Sequence, residues 1–229
     1  MTAPDRSILK RAAAVRAVGE VQDGMVIGLG TGSTSAFAIE ELSRRVAAGL
    51  KIVGVPTSER TRLMAQQQGV PLLKPGDRPR LDLTIDGADQ VERGSLDLVK
   101  GAGGALLGEK IVASASDRMI VIVDDSKIVE RLGKATPLPV EIVSFGWRYT
   151  VDRLTALGLR PHLRLVDGKP FVSDAGNHIA DCHIDEIADA AGLEAELSSL
   201  VGVVETGLFL GLASTVIVGR PDGIEVMQR

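Results

Sequence analysis

Aromatic side chains are scarce in this chain of 229 residues, at 3% of positions with one tryptophan and one tyrosine. A surface that stacks successive bases needs aromatic platforms, so binding of that kind is not expected. Basic excess is missing as well: 26 Lys and Arg against 30 Asp and Glu leave a formal charge of −4. A nucleic-acid surface needs surplus cations to displace counterions, so any anion here must be held locally. Cys182 stands alone and cannot form an internal disulfide, which fits a reducing compartment. No apolar run is long enough to span a bilayer, and the opening MTAPDRSILKRAAAVRAVGE mixes charges into its apolar residues, unlike a secretory signal. These absences predict a soluble cytoplasmic protein with no nucleic-acid or membrane partner.

What is present is aliphatic. Hydrophobic residues make up 45% of the chain, mostly Val, Ile, Leu and Ala, enough for a substantial core. Apolar runs alternate with helical patterns: helix 5–19, strand MVIGLG, helix 33–48, strand KIVGVP, helix 58–68, short strand VPLL and strand LDLTID. A helix running to 116 and the strand MIVIVDD follow. This alternation predicts an α/β fold, Rossmann-like, with a mainly parallel sheet flanked by helices. At GKATPLPVEIV two prolines break the pattern. Beyond it the order reads strand 138–143, helix 146–157, strand RPHLRLV, turn DGKP, a strand near FVSD, helix 185–200 and strand VVETGLF. That βαββαβ order is the ferredoxin-like motif, so a smaller α+β domain over 134–206 is expected beside a main domain of 1–133 and 207–229. The closing STVIVGRPDGIEVM either rejoins the first sheet or packs beside it.

Four loops carry chemistry. GLGTGSTS, residues 28–35, follows a strand and opens a helix, so backbone N–H groups and the positive helix end face an anion. Ser33 stands where a dinucleotide fingerprint needs glycine, and a P-loop lysine is missing. The hydroxyls of Thr31, Ser33 and Thr34 around Gly32 suit a single phosphate; the plainer reading is a glycine turn with Ser33 or Thr34 as N-cap. IDGADQVE and LVKGAGG belong together: a hairpin about a two-residue Arg93-Gly94 turn sets Asp89 opposite Leu98 and Lys100 diagonally from Asp89, about 7–8 Å apart on one face. Asp86 and Asp89 read equally as Asx-turn residues ending a strand. VDDSKIVE places Lys127 beyond a strand's carboxyl end, where ligands of open α/β sheets sit, although a surface lysine is the commoner outcome.

Glu109 lies in KGAGGALLGEK, a run of small and apolar residues. On a helix beginning near Gly104 its neighbours are Ala105, Leu106, Val112 and Ala113, and the opposite stripe of Leu107, Ile111 and Ala115 is apolar too. The helix is therefore expected to be covered on both sides. Desolvation would raise the proton affinity of Glu109 and suit it to moving protons; a structural pairing with a lysine is the alternative. His162, His178 and His183 do not form a spaced metal set, and HIADCH reads as ordinary histidines.

In GLGTGSTS, DGAD, KGAGGALLGEKI, DDSK, LPVEI and the closing GLF and PDG, from Lys10 almost to the end, the sequence closely resembles the type A ribose-5-phosphate isomerases. The resemblance implies interconversion of D-ribose 5-phosphate and D-ribulose 5-phosphate in the nonoxidative pentose phosphate pathway, through a cis-enediolate, without metal or cofactor. It implies a ferredoxin-like lid domain and a homodimer or homotetramer. By motif it makes Glu109 the general base, with Asp86 and Asp89 assisting ring opening and hydroxyl protons, and Lys100 on the enediolate oxygen. Thr31, Gly32, Ser33 and Thr34, then Gly87 and Ala88, then Gly101, Ala102 and Gly103 match the substrate loops, joined by Lys127 and Lys10. Ala102 replaces the usual middle glycine, tolerable only at negative φ. Gln90 replaces an acid, and hairpin parity turns it away from Asp89. A noncatalytic sugar-phosphate sensor and other enzymes of related fold, such as a hexosamine-phosphate deaminase or an acyl-CoA transferase, share the strand-glycine-helix logic.

Overall fold

Asp5 caps the first helix, α1 (Arg6–Val18), by accepting a hydrogen bond from the Ser7 N–H. The computed structural model describes residues 5–134 and 136–229. Strand β1 (Val26–Leu29), helix α2 (Ser33–Ala47), strand β2 (Val53–Pro56), helix α3 (Glu59–Gln67) and strand β3 (Leu83–Asp86) follow in the expected alternation. The short strands β4 (Gln90–Glu92) and β5 (Leu98–Val99) lead to α4 (Leu106–Ser114) and β6 (Met119–Asp124). A 3-10 turn (Asp125–Lys127) and β7 (Ile128–Val129) come next. The chain continues through β8 (Leu138–Ile142), α5 (Trp147–Ala156), β9 (Arg160–Leu163), the small hairpin β10 (Leu165–Val166) and β11 (Lys169–Pro170), β12 (His178–His183), α6 (Ala190–Ser199) and β13 (Val203–Thr206). It ends with β14 (Leu208–Phe209), β15 (Thr215–Arg220) and β16 (Gly223–Gln228).

Six strands form the main sheet in the order β16-β15-β6-β3-β1-β2, all parallel except the β15–β16 pair. The closing segment thus rejoins the first sheet. Along β6 every residue is buried, as a parallel strand covered on both faces requires. Ile120 and Ile122 face the layer of α1, α2 and α3, while Met119, Val121 and Val123 face β4, β5 and β14. From β1 the chain runs outward to β2, then crosses back to β3 on the other side of β1. The carboxyl ends of β1 and β3 therefore flank a topological switch point, where open α/β sheets bind ligands.

The second sheet, in the order β13-β8-β12-β9, is antiparallel and packs with α5 and α6 around its own core. Counted within the segment, its strands run 4-1-3-2 with a helix after the first and third, the βαββαβ arrangement. Its third strand is HIADCH, not FVSD as the sequence suggested. Ala180 and Cys182 turn into the core on the β12 face, and this burial fixes the segment as a central strand. His162 and His183 meet edge to face with ring centroids 5.1 Å apart. Among the described residues no three metal-ligating side chains cluster. The proline break expected to separate the two parts includes Ala135, which lies outside the described residues. Two further expectations shift: VPLL makes a single bridge, Gly54 to Leu72, and the last helix starts at Ala190.

The β4–β5 hairpin also differs from expectation. Val91 pairs with Leu98 and Gln90 with Val99, two residues beyond the expected register. Arg-Gly is a poor two-residue turn; the chain instead spans Arg93 to Leu96, with the Leu96 N–H donating to the Glu92 carbonyl at 3.1 Å. Leu96 takes φ 58, a strained value for a branched side chain, which its burial in the core offsets. A slip of two preserves the faces. Asp89 and Lys100 become direct neighbours across the ladder, and the Asp89 N–H donates to the Val99 carbonyl at 2.8 Å.

Candidate active site

Loop 30–34 leaves β1 and enters α2 with Gly32 as N-cap at φ 123, and no side chain caps the helix. The expected alternative of a Ser33 or Thr34 cap is thereby set aside, and the first-turn N–H groups remain available to an anion. Lys10 reaches over from α1 and donates to Ser33 Oγ at 3.0 Å. The Thr31 hydroxyl turns inward to the hydroxyls of Thr57, Ser58 and Thr61, at 2.8, 2.7 and 2.9 Å. That network ties loop 30–34 to the start of α3. The sequence does not reveal this network: TSERT follows β2 and opens a helix, the same signal as GTGST, but its pattern predicts only a helix start.

Asp86 ends β3 fully buried, and Oδ1 accepts from the Thr31 N–H at 3.1 Å, the Gly87 N–H at 2.7 Å and Ser35 Oγ at 3.1 Å. Gly30 must lack a side chain, because a Cβ there would fall 2.0 Å from that same oxygen. The other carboxylate oxygen lies 2.9 Å from Lys100 Nζ. Lys100 Nζ also donates to the Gly87 carbonyl at 2.6 Å and approaches Glu109 Oε1 at 3.4 Å. Asp86 thus turns a strand end, as one of its two readings expected, and also pairs with Lys100. It stands behind the lysine and does not line the cleft.

Glu109 is 3% exposed, on the face of α4 shared with Leu106, Val112 and Ala113. The opposite stripe is not sealed as expected, since Ile111 is 55% exposed. Burial pushes the Glu109 carboxyl up to about 8; the nearby Lys100 opposes this, and the negative charges of Asp86 and Asp89 add to it. Burial also works against a charged Lys100, but the carboxylates of Asp86 and Glu109 outweigh it and hold its pKa above the usual lysine range. Glu109 Oε2 is buried without a hydrogen-bond partner among the described residues. The site therefore contains one committed cation and one carboxyl of heightened proton affinity, in contact.

Both open onto a cleft of about 110 Å³ at the switch point. Thr31 to Thr34, Lys10 and Lys127 form one end. Ala88 and Asp89, with Lys100, Gly101 and Glu109, line the rest, and Gly87 and Gly103 lie between, where a Cβ would stand 3.9 Å from Thr34 and 3.8 Å from Thr31 respectively. Of the expected site residues, Asp86 and Ala102 alone are not on its walls. Asp89 Oδ2 accepts from the Ala102 N–H at 2.8 Å, so Ala102 supports the wall from outside. Among the described residues the non-glycine positions with positive φ are Leu96 and Asp167, which leaves Ala102 in the region an alanine needs. Gln90 turns away as expected and accepts from the Gly133 N–H at 2.8 Å. Such an arrangement can anchor an anion at one end while a base and a cation act on carbon and oxygen at the other.

The family model described as Ribose 5-phosphate isomerase A (phosphoriboisomerase A) matches residues 53–223, which excludes Lys10 and the 28–35 loop. Full-length relatives extend the match. Ribose-5-phosphate isomerase A of Gloeobacter violaceus is 54% identical over 97% of this chain and 97% of its own, and that of Gluconobacter oxydans is 50% identical over 98% of each. Among solved structures, a D-ribose-5-phosphate isomerase in complex with phospho-erythronic acid superimposes with a TM-score of 0.95 at 36% identity, covering 99% of this chain and 100% of that one. The ribose 5-phosphate isomerase A of Methanocaldococcus jannaschii gives 0.93 at 40% identity, over 97% and 99%. By fold, site and sequence the chain belongs to the ribose 5-phosphate isomerase A family, a family of isomerases.

Proposed function

We propose that the chain interconverts D-ribose 5-phosphate and D-ribulose 5-phosphate through a cis-enediolate, with Glu109 as general base, in the nonoxidative pentose phosphate pathway of the cytoplasm. One observation carries the mechanism: a buried carboxyl, its proton affinity raised by that burial, lies 3.4 Å from a buried lysine in a cleft that also holds an uncapped helix start suited to an anion. The phosphate sits on the 31–34 loop, with Lys10 and Lys127 adding charge, and so orients carbons 1 and 2 at the other end. Ionised Glu109 takes the proton from C2 of the open-chain aldose. The C–H electrons form the C1=C2 bond and the carbonyl electrons move to O1. Lys100 Nζ and the Gly103 N–H stabilise that oxyanion. A hydroxyl proton passes from O2 to O1 with the help of Asp89, and Glu109 returns its proton to C1. Asp86 keeps Lys100 charged and in place. The protein's own groups supply base, oxyanion stabiliser and phosphate anchor, so the reading requires no metal or cofactor.

The 134–206 part acts in this reading as a lid and assembly domain, and the chain forms a homodimer or homotetramer. Half of the six Phe, Trp and Tyr side chains lie within FGWRY, where Phe145 is 93% and Tyr149 76% exposed, near Val201 at 78%. Such a patch is unusual on a chain with so few aromatics and suits a second copy. Sedimentation analysis measures the assembly.

The isomerase reading is tested with chelator-treated protein and ribose 5-phosphate in deuterated water. Ketose formation with solvent deuterium at C2 of the recovered aldose is expected. Ketose formed at an undiminished rate by Glu109→Gln would remove Glu109 from its role. Absence of ketose from folded protein would restore the sensor reading.

A further inference from the structure

We propose that Arg164 is a positioning residue for the reaction: from outside the cleft it holds the 101–103 peptides so that the Gly103 N–H serves the oxyanion. The proposal rests on the enediolate reading of that loop. Arg164 follows β9 in the second sheet, far from the cleft motifs in sequence. Its backbone is fixed on both sides, with its N–H donating to the Ile179 carbonyl at 2.8 Å and its carbonyl accepting from the Phe171 N–H at 2.9 Å. One edge of the guanidinium pairs with both oxygens of Asp181, Nε at 2.9 Å and Nη2 at 2.5 Å. The remaining nitrogen, Nη1, donates to the carbonyls of Gly101 at 2.9 Å and Ala102 at 3.2 Å. Arg164 and Asp181 are both largely buried, and Phe171, 5.9 Å from the guanidinium, packs where a Cβ on Gly104 would stand.

Peptide geometry converts this grip into a function. In a trans, planar peptide the C=O and N–H point in opposite directions, and no cis bond occurs among the described residues. The Gly101 carbonyl rests on Arg164, so the N–H of the same peptide points the other way and meets Asp89. The Ala102 carbonyl also rests on Arg164, so the Gly103 N–H points toward the cleft, whose wall Gly103 forms. Among the described residues no acceptor engages that N–H. The Gly101 carbonyl also accepts from the Gly104 N–H at 3.0 Å, so the Gly101–Ala102 peptide keeps its place without the guanidinium; the Ala102–Gly103 peptide loses its hold, and can flip to present a carbonyl oxygen where negative charge must develop. The loss falls on the enediolate, whose oxygen is charged, more than on the neutral substrate. Lysine cannot replace the fork, since one ammonium cannot satisfy both Asp181 oxygens and two carbonyls together.

The test compares wild type with Arg164→Lys and Asp181→Asn, measuring kcat, KM, thermal unfolding and affinity for two probes. Inorganic phosphate reports the 31–34 anchor; phospho-erythronic acid adds a carboxylate that resembles the planar enediolate. Arg164→Lys should lower kcat about 10- to 100-fold, below the usual loss for deleting a donor outright, while KM moves less than about threefold. Phospho-erythronic acid should bind correspondingly more weakly and phosphate almost unchanged. Asp181→Asn should fall between the two and decides the matter if Arg164→Lys does not fold. Normal kcat and analogue affinity in both variants overturn the proposal. So does equal weakening of both probes, which marks general damage. A wild type that holds phospho-erythronic acid no tighter than phosphate overturns the oxyanion reading itself.

Discussion

At the 31–34 end of the cleft, positive potential comes from an uncapped helix start and from Lys10 and Lys127, which are partly open to water. At the 86–109 end, Asp86, Lys100 and Glu109 are 0%, 2% and 3% exposed. The first end can bind an anion with high-dielectric, adaptable contacts that treat substrate and intermediate alike. The second holds fixed charges where each interaction is several-fold stronger and no solvent must reorganise. On the proposed mechanism recognition and chemistry are divided along one cleft, and substitutions at the two ends should change different kinetic constants.

The largest expected effect is at Glu109. Glu109→Gln should lower kcat by about 10²–10⁴-fold with little change in phosphate affinity. In the wild type, kcat/KM should rise with pH through about 8, as the base ionises. The same shift makes a stability prediction of definite sign. Between the ordinary value of 4.5 and about 8 the folded chain binds one more proton at this site than the unfolded chain. The Glu109 contribution is therefore fully present below 4.5 and is lost as pH rises to about 8, with a slope of at most about 1.4 kcal/mol per pH unit. Urea titrations of Glu109→Gln should lack that decline, so the variant gains on wild type as pH rises. A variant that lost ground to wild type as pH rises would contradict the buried assignment.

Next comes Lys100→Met, which leaves Asp86 and Glu109 together without their cation. It should destabilise the fold by about 3–5 kcal/mol near neutral pH and abolish most turnover. Part of the stability should return on acidification, as Asp86, left without its cation, takes up a proton. If Lys100→Met proved as stable as wild type, the sealed character of this end would be wrong.

Legibility in the sequence follows the same division between local and distant. Helices α1, α2 and α3 and the parallel strands were readable because their period and punctuation are local. The cleft loops were readable because each sits at a strand end in a short motif. The faces of Asp89 and Lys100 survived an incorrect turn, because a two-residue slip keeps side-chain parity. Three features were hidden, and each depends on contacts across long stretches of chain. The Thr31 hydroxyl meets Thr57 and Thr61 only once β1 and β2 are paired. HIADCH becomes a strand because β8 and β9 flank it and its small residues fill a core that no short window reveals. Arg164 reaches Gly101 across 63 residues. Ile111 misled for a related reason, since an apolar face on a helix does not tell which neighbour, if any, covers it.

The smaller effects test the recognition end and the loop between. Lys127→Met should raise KM about tenfold at nearly constant kcat and cost under about 1 kcal/mol in stability, because its charge is partly solvated and acts on ground state and intermediate equally. A kcat loss comparable to that of Lys100→Met would erase the distinction between the two ends. The smallest effect belongs to Ala102→Gly. The exposed methyl touches neither cleft wall nor core, and the peptide on either side is already held by Asp89 and Arg164. Glycine widens the unfolded ensemble, so stability should fall by about 0.4–1 kcal/mol while kcat stays within about threefold. A tenfold change in kcat from this one methyl would mean that the Cβ, rather than the two outer hydrogen bonds, sets the loop, and the grip assigned to Arg164 would lose its basis.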